Sequence, residues 1–176
     1  MFLPVFYMLI PLRLTYPRRF HLVLNASNDC AVRKNKITGE ACTYTIGNND
    51  AKYRSPEEYR YDPETAKIDV WALGSMLHLI LTDKGVWAGL SEKKAQKRIA
   101  NNESPPLDDK WKESTDPVDK LLVKVMYEWC FVADPEKRPS APEVAKFLEQ
   151  ESEKILKEMG MSEEEIKDDR IPLIRD

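Results

Sequence analysis

Apolar residues are distributed along this chain in two ways. Between residues 68 and 81 the run IDVWALGSMLHLIL holds only Asp69, Ser75 and His78 as distinctly polar positions. A helix that apolar on every side has to be enclosed by protein, and it is shorter than the roughly 20 residues a bilayer span needs. The pattern therefore predicts a buried central helix over 67–82. Gly74, which costs about 1 kcal/mol in a helix interior, is expected where another backbone packs closely.

The remaining helical segments are amphipathic and carry start signals. Ser91 can cap a helix reaching about Asn101, with Ala95 and Ile99 inside and Lys93, Lys94, Lys97 and Arg98 on the wet face. Asp116 followed by Pro117 opens a helix over 118–130. Ser140 and Glu143 have capping-box spacing and open a helix to about Glu158. Gly160 then interrupts, and Ser162 to Glu165 can start a short acidic turn of helix. Before all of these, 21–24 reads as a short strand with 31–33 as its hairpin partner. The polar stretch 34–52 lacks helical periodicity and reads as a loop. The fold class expected is α+β and mostly α-helical: a short β-hairpin, then about five helices around a buried central helix.

Composition narrows the class. The chain has 176 residues, 42% hydrophobic and 32% charged, enough for one domain with its own core. A formal net charge of -3 argues for neither nucleic acid nor an anionic membrane. Residues 149–176 hold ten acids against five bases, so the C-terminal end is an acidic appendage. Three cysteines, Cys30, Cys42 and Cys130, make no disulfide scaffold and no zinc spacing, which favours a reducing, intracellular compartment. The first twelve residues, MFLPVFYMLIPL, are apolar but broken by Pro4 and Pro11, and the bases Arg13, Arg18 and Arg19 follow them. That order is the reverse of a signal peptide. An extension without structural meaning, a core-packing segment and a targeting segment stay open for 1–19. The division expected is 1–19 extension, 20–158 folded domain, 159–176 acidic tail.

Three motifs stand in order: Tyr53-Arg-Ser-Pro-Glu-Glu-Tyr59, Asp69-Val-Trp-Ala-Leu-Gly74 and Asp134-Pro-Glu-Lys-Arg-Pro-Ser140. Together they resemble the second half of the C-terminal lobe of a eukaryotic protein kinase, over roughly residues 20–150. Ser55, Pro56 and Glu57 correspond to the Ala-Pro-Glu motif that closes the activation segment. Asp69, Trp71 and Gly74 fall on the start of the lobe's central helix, and Arg138 on the turn before its last helix. Leu73-Gly74 after Trp71 leans toward the serine/threonine type. The resemblance implies that Glu57 pairs with Arg138, 81 positions away, stapling the activation segment to the helical base. Arginine suits that task because its planar fork can hold a carboxylate with two parallel hydrogen bonds.

Phosphoryl transfer rests on positioning and charge neutralisation, and the parts that supply them in such kinases are not found. The chain contains no G-x-G-x-x-G and no His-Arg-Asp. Only twenty residues precede the first strand, too few for a nucleotide-binding lobe. Aligning Leu22 to Asn25 with the strand before Asp-Phe-Gly places Ala26, Ser27 and Asn28 on that motif, where Ala26 offers no carboxylate for magnesium. A shifted register places Asp29 there instead. In the family the aspartate at position 69 accepts hydrogen bonds from the catalytic-loop backbone. Here Asp69 is expected either to be left an unpaired carboxylate or to find free N–H groups at its helix start. The central helix is expected to expose faces that missing elements once covered, making the chain marginally stable.

These readings predict no catalytic residue, no metal and no cofactor for the chain as given, a pseudokinase-like remnant with a protein-binding or scaffold role. The face of helix 91–101 and the exposed surface of the central helix are the candidate partner surfaces. The alternative is an incomplete record of a serine/threonine kinase that uses ATP and Mg2+. Thr43, Tyr44 and Thr45 lie where activation segments are phosphorylated, with Lys52 and Arg54 as nearby bases, but a solvated loop is the favoured reading of that stretch. His21 is isolated, and His78 reads as a core or interface histidine.

Overall fold

The structure, a computed structural model, describes residues 37, 38 and 51–161. The expected strands 21–24 and 31–33, nearly all of the loop 34–52 and the acidic turn at 162–165 lie outside the described residues. Among the described residues the fold is helical, with Glu64 as a single bridge residue and no strand.

The first helix, α1, spans Pro56–Arg60 and was not expected from periodicity, because five residues show none. Its start is nevertheless written locally. Glu58 Oε2 accepts from the Ser55 backbone N–H at 2.7 Å and from the Ser55 hydroxyl at 2.8 Å, and Pro56 occupies the first turn where no N–H is needed. Helix α2, Ile68–Thr82, is the central post. Val70, Trp71, Leu73, Leu77 and Leu81 are all within 2% of complete burial. Its enclosure is not complete: Ala72, Met76 and Ile80 are half-buried and Leu79 is 38% exposed.

Helix α3, Glu92–Ala100, begins after Ser91 and buries Ala95 and Ile99 completely, leaving Lys93, Lys94, Lys97 and Arg98 exposed. It packs against α1. A four-residue helix, α4, covers Asp109–Lys112. Helix α5, Pro117–Lys124, starts where Asp116 Oδ1 accepts from the N–H groups of Val118 and Asp119 at 2.8 and 3.1 Å. The last helix, α6, Ala141–Glu158, opens on Glu143 accepting from the Ser140 N–H and hydroxyl and buries Val144, Leu148, Ser152 and Ile155 along one stripe. It stops at Met159, and Gly160 follows at φ 86.

The single helix expected over 118–130 is corrected. After Lys124 the chain widens into a six-residue π-helix, Val125–Cys130. The buried pairs there, Val125 with Cys130 and Met126 with Phe131, recur at a spacing of five, and the Phe131 N–H donates to the Met126 carbonyl at 2.7 Å. That is the repeat of i→i+5 bonding, not of an α-helix. The close approach expected at Gly74 is found. The atoms nearest to it belong to the π-helix and the residue after it: a Cβ there would sit 2.7 Å from Cys130 Cβ and 2.8 Å from Phe131 Cε1. Glycine at 74 is what lets α2 and the π-helix close on each other.

Candidate functional site: a buried carboxylate–guanidinium clasp

Helix α1 is short, but its position is set firmly from below. Residues 57 and 138 meet across 81 positions of chain. Arg138 Nη1 donates to Glu57 Oε1 at 2.6 Å and Nη2 donates to Oε2 at 3.0 Å. Both side chains are sealed, with 0% and 1% of their surface exposed. Two further guanidinium hydrogens are also used: Nε donates to the Val132 carbonyl at 2.8 Å and Nη1 to the Lys67 carbonyl at 2.9 Å. The guanidinium lies 5.3 Å from the ring centre of Trp71, which meets Phe131 edge-on at 5.2 Å. One arginine thus joins α1, the start of α2, and the turn that leads from the π-helix to α6. A bidentate, desolvated pair of this kind holds geometry, because its two parallel hydrogen bonds fix the angle as well as the distance.

A second set of buried charges adjoins it on α1. Arg54, 4% exposed, has its Nε 3.7 Å from Glu58 Oε1. Desolvation raises the Glu58 pKa above its ordinary value, against the lowering pull of the Ser55 bonds and Arg54. Sequence reading offered Arg54 and Lys52 as bases for a phosphate on Thr43, Tyr44 or Thr45. Those three lie outside the described residues. Both bases are committed elsewhere, Arg54 within the buried cluster and Lys52 Nζ to the Leu90 carbonyl at 2.6 Å. Tyr59 completes the cluster, its hydroxyl donating to the Ala51 carbonyl at 2.5 Å. Sequence reading missed the role of Glu58. The Ser55-x-x-Glu58 spacing is itself capping-box spacing and could have revealed it.

On the outer side, Arg60 straps α1 to the end of α3. Its Nη1 donates to the Ala100 carbonyl at 3.2 Å and to Asn102 Oδ1 at 2.7 Å, and its Nε pairs with Asp62. Arg98, on the far edge of α3, lies 5.9 Å from the Trp87 ring centre.

Asp69 sits differently. It is the second residue of α2, half-buried, and its carboxylate has no hydrogen-bond partner among the described residues. The expected alternative, N–H groups at the helix start, is not used. Desolvation raises its pKa above the ordinary aspartate value. His78 is buried and bridges two loops: Nδ1 faces the Lys84 carbonyl at 3.1 Å and Nε2 the Pro106 carbonyl at 3.2 Å. The positions aligned with the metal motif, Ala26, Ser27, Asn28 and the alternative Asp29, lie outside the described residues. No group of three or more His, Cys, Asp or Glu side chains able to hold a metal ion occurs among the described residues.

Residues 33–148, more than half of the chain, match the model of the protein kinase domain. The chain belongs to the protein kinase family. Among similar proteins is a putative mitogen-activated protein kinase kinase kinase 7-like of Drosophila melanogaster, 30% identical over 106 residues. That alignment covers 58% of this chain and 26% of the fly protein. A calcium and calcium/calmodulin-dependent serine/threonine-protein kinase of Lotus japonicus is 30% identical over 92 residues, 52% of this chain and 17% of its own length. A mitogen-activated protein kinase kinase kinase mkh1 of Cytospora mali is 31% identical over 91 residues, 51% of this chain and 5% of that protein. The chain spans about a quarter or less of the length of these curated relatives. Among the described residues no helix is long and apolar enough to cross a membrane.

Proposed function

We propose that residues 51–158 form part of the C-terminal lobe of a serine/threonine-type protein kinase domain, and that this chain binds protein partners without transferring phosphate itself. The observation that carries the reading is the contrast between its two acidic motif residues. Glu57 is fully engaged by Arg138, whereas Asp69 accepts no hydrogen bond among the described residues. In a kinase the catalytic loop supplies donors to the aspartate at that position, and the sequence contains no His-Arg-Asp from which to build one. The base of the lobe is retained, and the phosphate-handling parts have no residues to form them.

Residues 51–55 then end the activation segment, held down by the clasp. The exposed Lys93, Lys94 and Lys97 face of α3 and the half-open flank of α2 are the partner surfaces, in an intracellular setting that the few cysteines suit. The test is direct. The purified chain, melted with and without millimolar ATP and magnesium, is expected to show no stabilisation and to incorporate no labelled phosphate. A melting shift that grows with nucleotide concentration would overturn the reading.

The second reading is that the chain is a portion of a longer, active serine/threonine kinase. The small share of each curated relative that it covers favours it. Transcript mapping upstream of Met1 separates the two: a continuous frame encoding a glycine-rich loop and His-Arg-Asp selects the second.

A further inference from the structure

The half-open residues of α2 fall on one stripe. Asp69, Ala72, Met76 and Ile80 recur at steps of three and four, with Leu79 beside them, so they line a single helix face. The residues on either edge of that face are buried, Leu73 and Leu77 on one side, Ile68 and Ser75 on the other. A helix face turned to water is normally polar. This one, past Asp69, is alanine, methionine, leucine and isoleucine. From 69 to 80 it runs about 17 Å at 1.5 Å per residue.

We propose that the occupant of this stripe is the chain's own segment 5–10, VFYMLI, docked within the same molecule. Outside the described residues, 1–12 is the longest apolar run, whereas 39–50 is polar and 162–176 acidic. The segment has no wet side: Val5, Tyr7 and Leu9 alternate with Phe6, Met8 and Ile10, the pattern of an extended stretch that calls for cover on both faces. Pro4 and Pro11 bound it, and a proline turns the residue before it away from helical geometry. Six extended residues reach about 20 Å, which matches the length of the stripe.

The size of the patch favours a tethered occupant over a second copy. A face about 17 Å long and about 10 Å wide is far smaller than the roughly 800 Å² that each partner of a stable dimer contributes. Attachment through residues 13–50 makes docking of the segment intramolecular, so a small contact suffices. That connection is also long enough to reach either end of α2. Apolar cover over the head of the stripe fits an Asp69 that is half-buried and accepts no hydrogen bond among the described residues. The inference rests on the preceding reading only in naming what lies on one of its two partner surfaces. The nucleotide melt tests that reading and does not report on this flank.

The experiment uses the full purified chain with the photo-crosslinker p-benzoylphenylalanine in place of Tyr7, as a mixture of isotopically light and heavy copies. After irradiation and proteolysis, mass spectrometry is expected to find Tyr7's position joined to the peptide 68–84, always light to light or heavy to heavy. Light-to-heavy products would assign the stripe to a second copy and overturn the proposal, as would crosslinks elsewhere or none. A second measurement follows oxidation of Met76 by dilute peroxide. The paired change Phe6→Asp and Leu9→Asp should speed it about fivefold or more, while Met126, fully buried in the core, stays protected. An unchanged Met76 rate with Met126 protected also overturns the proposal. If Met126 oxidises too, the variant has unfolded, and the crosslink in the otherwise native chain decides.

Discussion

Two flanks of the central helix bury acidic side chains and treat them differently. Beneath its start, Glu57 is sealed against Arg138, with all the guanidinium nitrogens used and Trp71 stacked nearby. On the flank that carries Ala72, Met76 and Leu79, Asp69 is half-buried with no hydrogen-bonding group among the described residues to receive it. Burial weighs on both carboxylates, more heavily on Glu57 than on the half-buried Asp69. The difference among the described residues is the hydrogen-bonded guanidinium, and it decides whether removing the acid harms or helps the fold.

The largest effect is expected at the clasp. Arg138→Ala leaves the Glu57 carboxylate stranded and should cost about 3–5 kcal/mol, read from urea or thermal unfolding. Unchanged unfolding would break the comparison at its root. Replacing both partners together, Glu57→Leu with Arg138→Met, should lose less than the single change, because no buried charge survives.

Gly74→Ala ranks next. The added methyl collides with Cys130 Cβ and the Phe131 ring, and overpacking of this kind costs about 1–3 kcal/mol. It tests whether the flank opposite Asp69 is as tightly closed as the clasp. The Cys130 thiol offers a second reading of that closure. Desolvation by burial, with Arg138 a smaller opposing influence, pushes it up to about 12, so it should resist thiol reagents in the wild type and react faster in the Ala variant.

Asp69→Asn is expected to act in the opposite direction. Its folded-state pKa lies above the ordinary 3.8 because of desolvation, so the folded state takes up the proton more readily than the unfolded chain. The stability linked to this group is complete below about 3.8 and falls as pH rises through the higher folded value. The amide removes that dependence, so the variant should melt above the wild type at neutral pH and converge with it as pH falls toward 3.8. A lower melting temperature at neutral pH would mean that Asp69 has found a donor, as in a domain with its catalytic loop.

The smallest effect should come from Lys93→Gln, Lys94→Gln and Lys97→Gln. These are exposed positions whose substitution normally shifts stability by no more than about 0.5 kcal/mol. Any larger consequence, such as lost capture of an acidic partner, would belong to binding and not to folding.

Legibility followed the range of the interactions. The starts of α5 and α6 could be placed from Asp116 and Ser140, because a cap is a bond between residues two or three apart, and α3 begins after Ser91 although the serine side chain makes no capping bond. The five-residue α1 escaped periodicity, though its capping box was in plain view at Ser55 and Glu58. The Glu57 and Arg138 positions could be named from motifs, but their neighbours Arg54 and Arg60 could not. One of those is buried and the other straps a helix end, and composition does not distinguish such arginines from solvated ones.

By itself, then, the sequence determined that residues 68–82 had to lie inside the protein and where the amphipathic helices begin. Hydrophobicity and capping are properties of contiguous residues. Only the tertiary structure decided that 125–130 would wind as a π-helix, and that Gly74 faces a cysteine and a phenylalanine. It also decided that Glu57 on α1 meets an arginine, while Asp69 on the central post accepts no hydrogen bond among the described residues. Those outcomes depend on which groups from distant parts of the chain arrive at the same few cubic ångströms, and no local pattern encodes that.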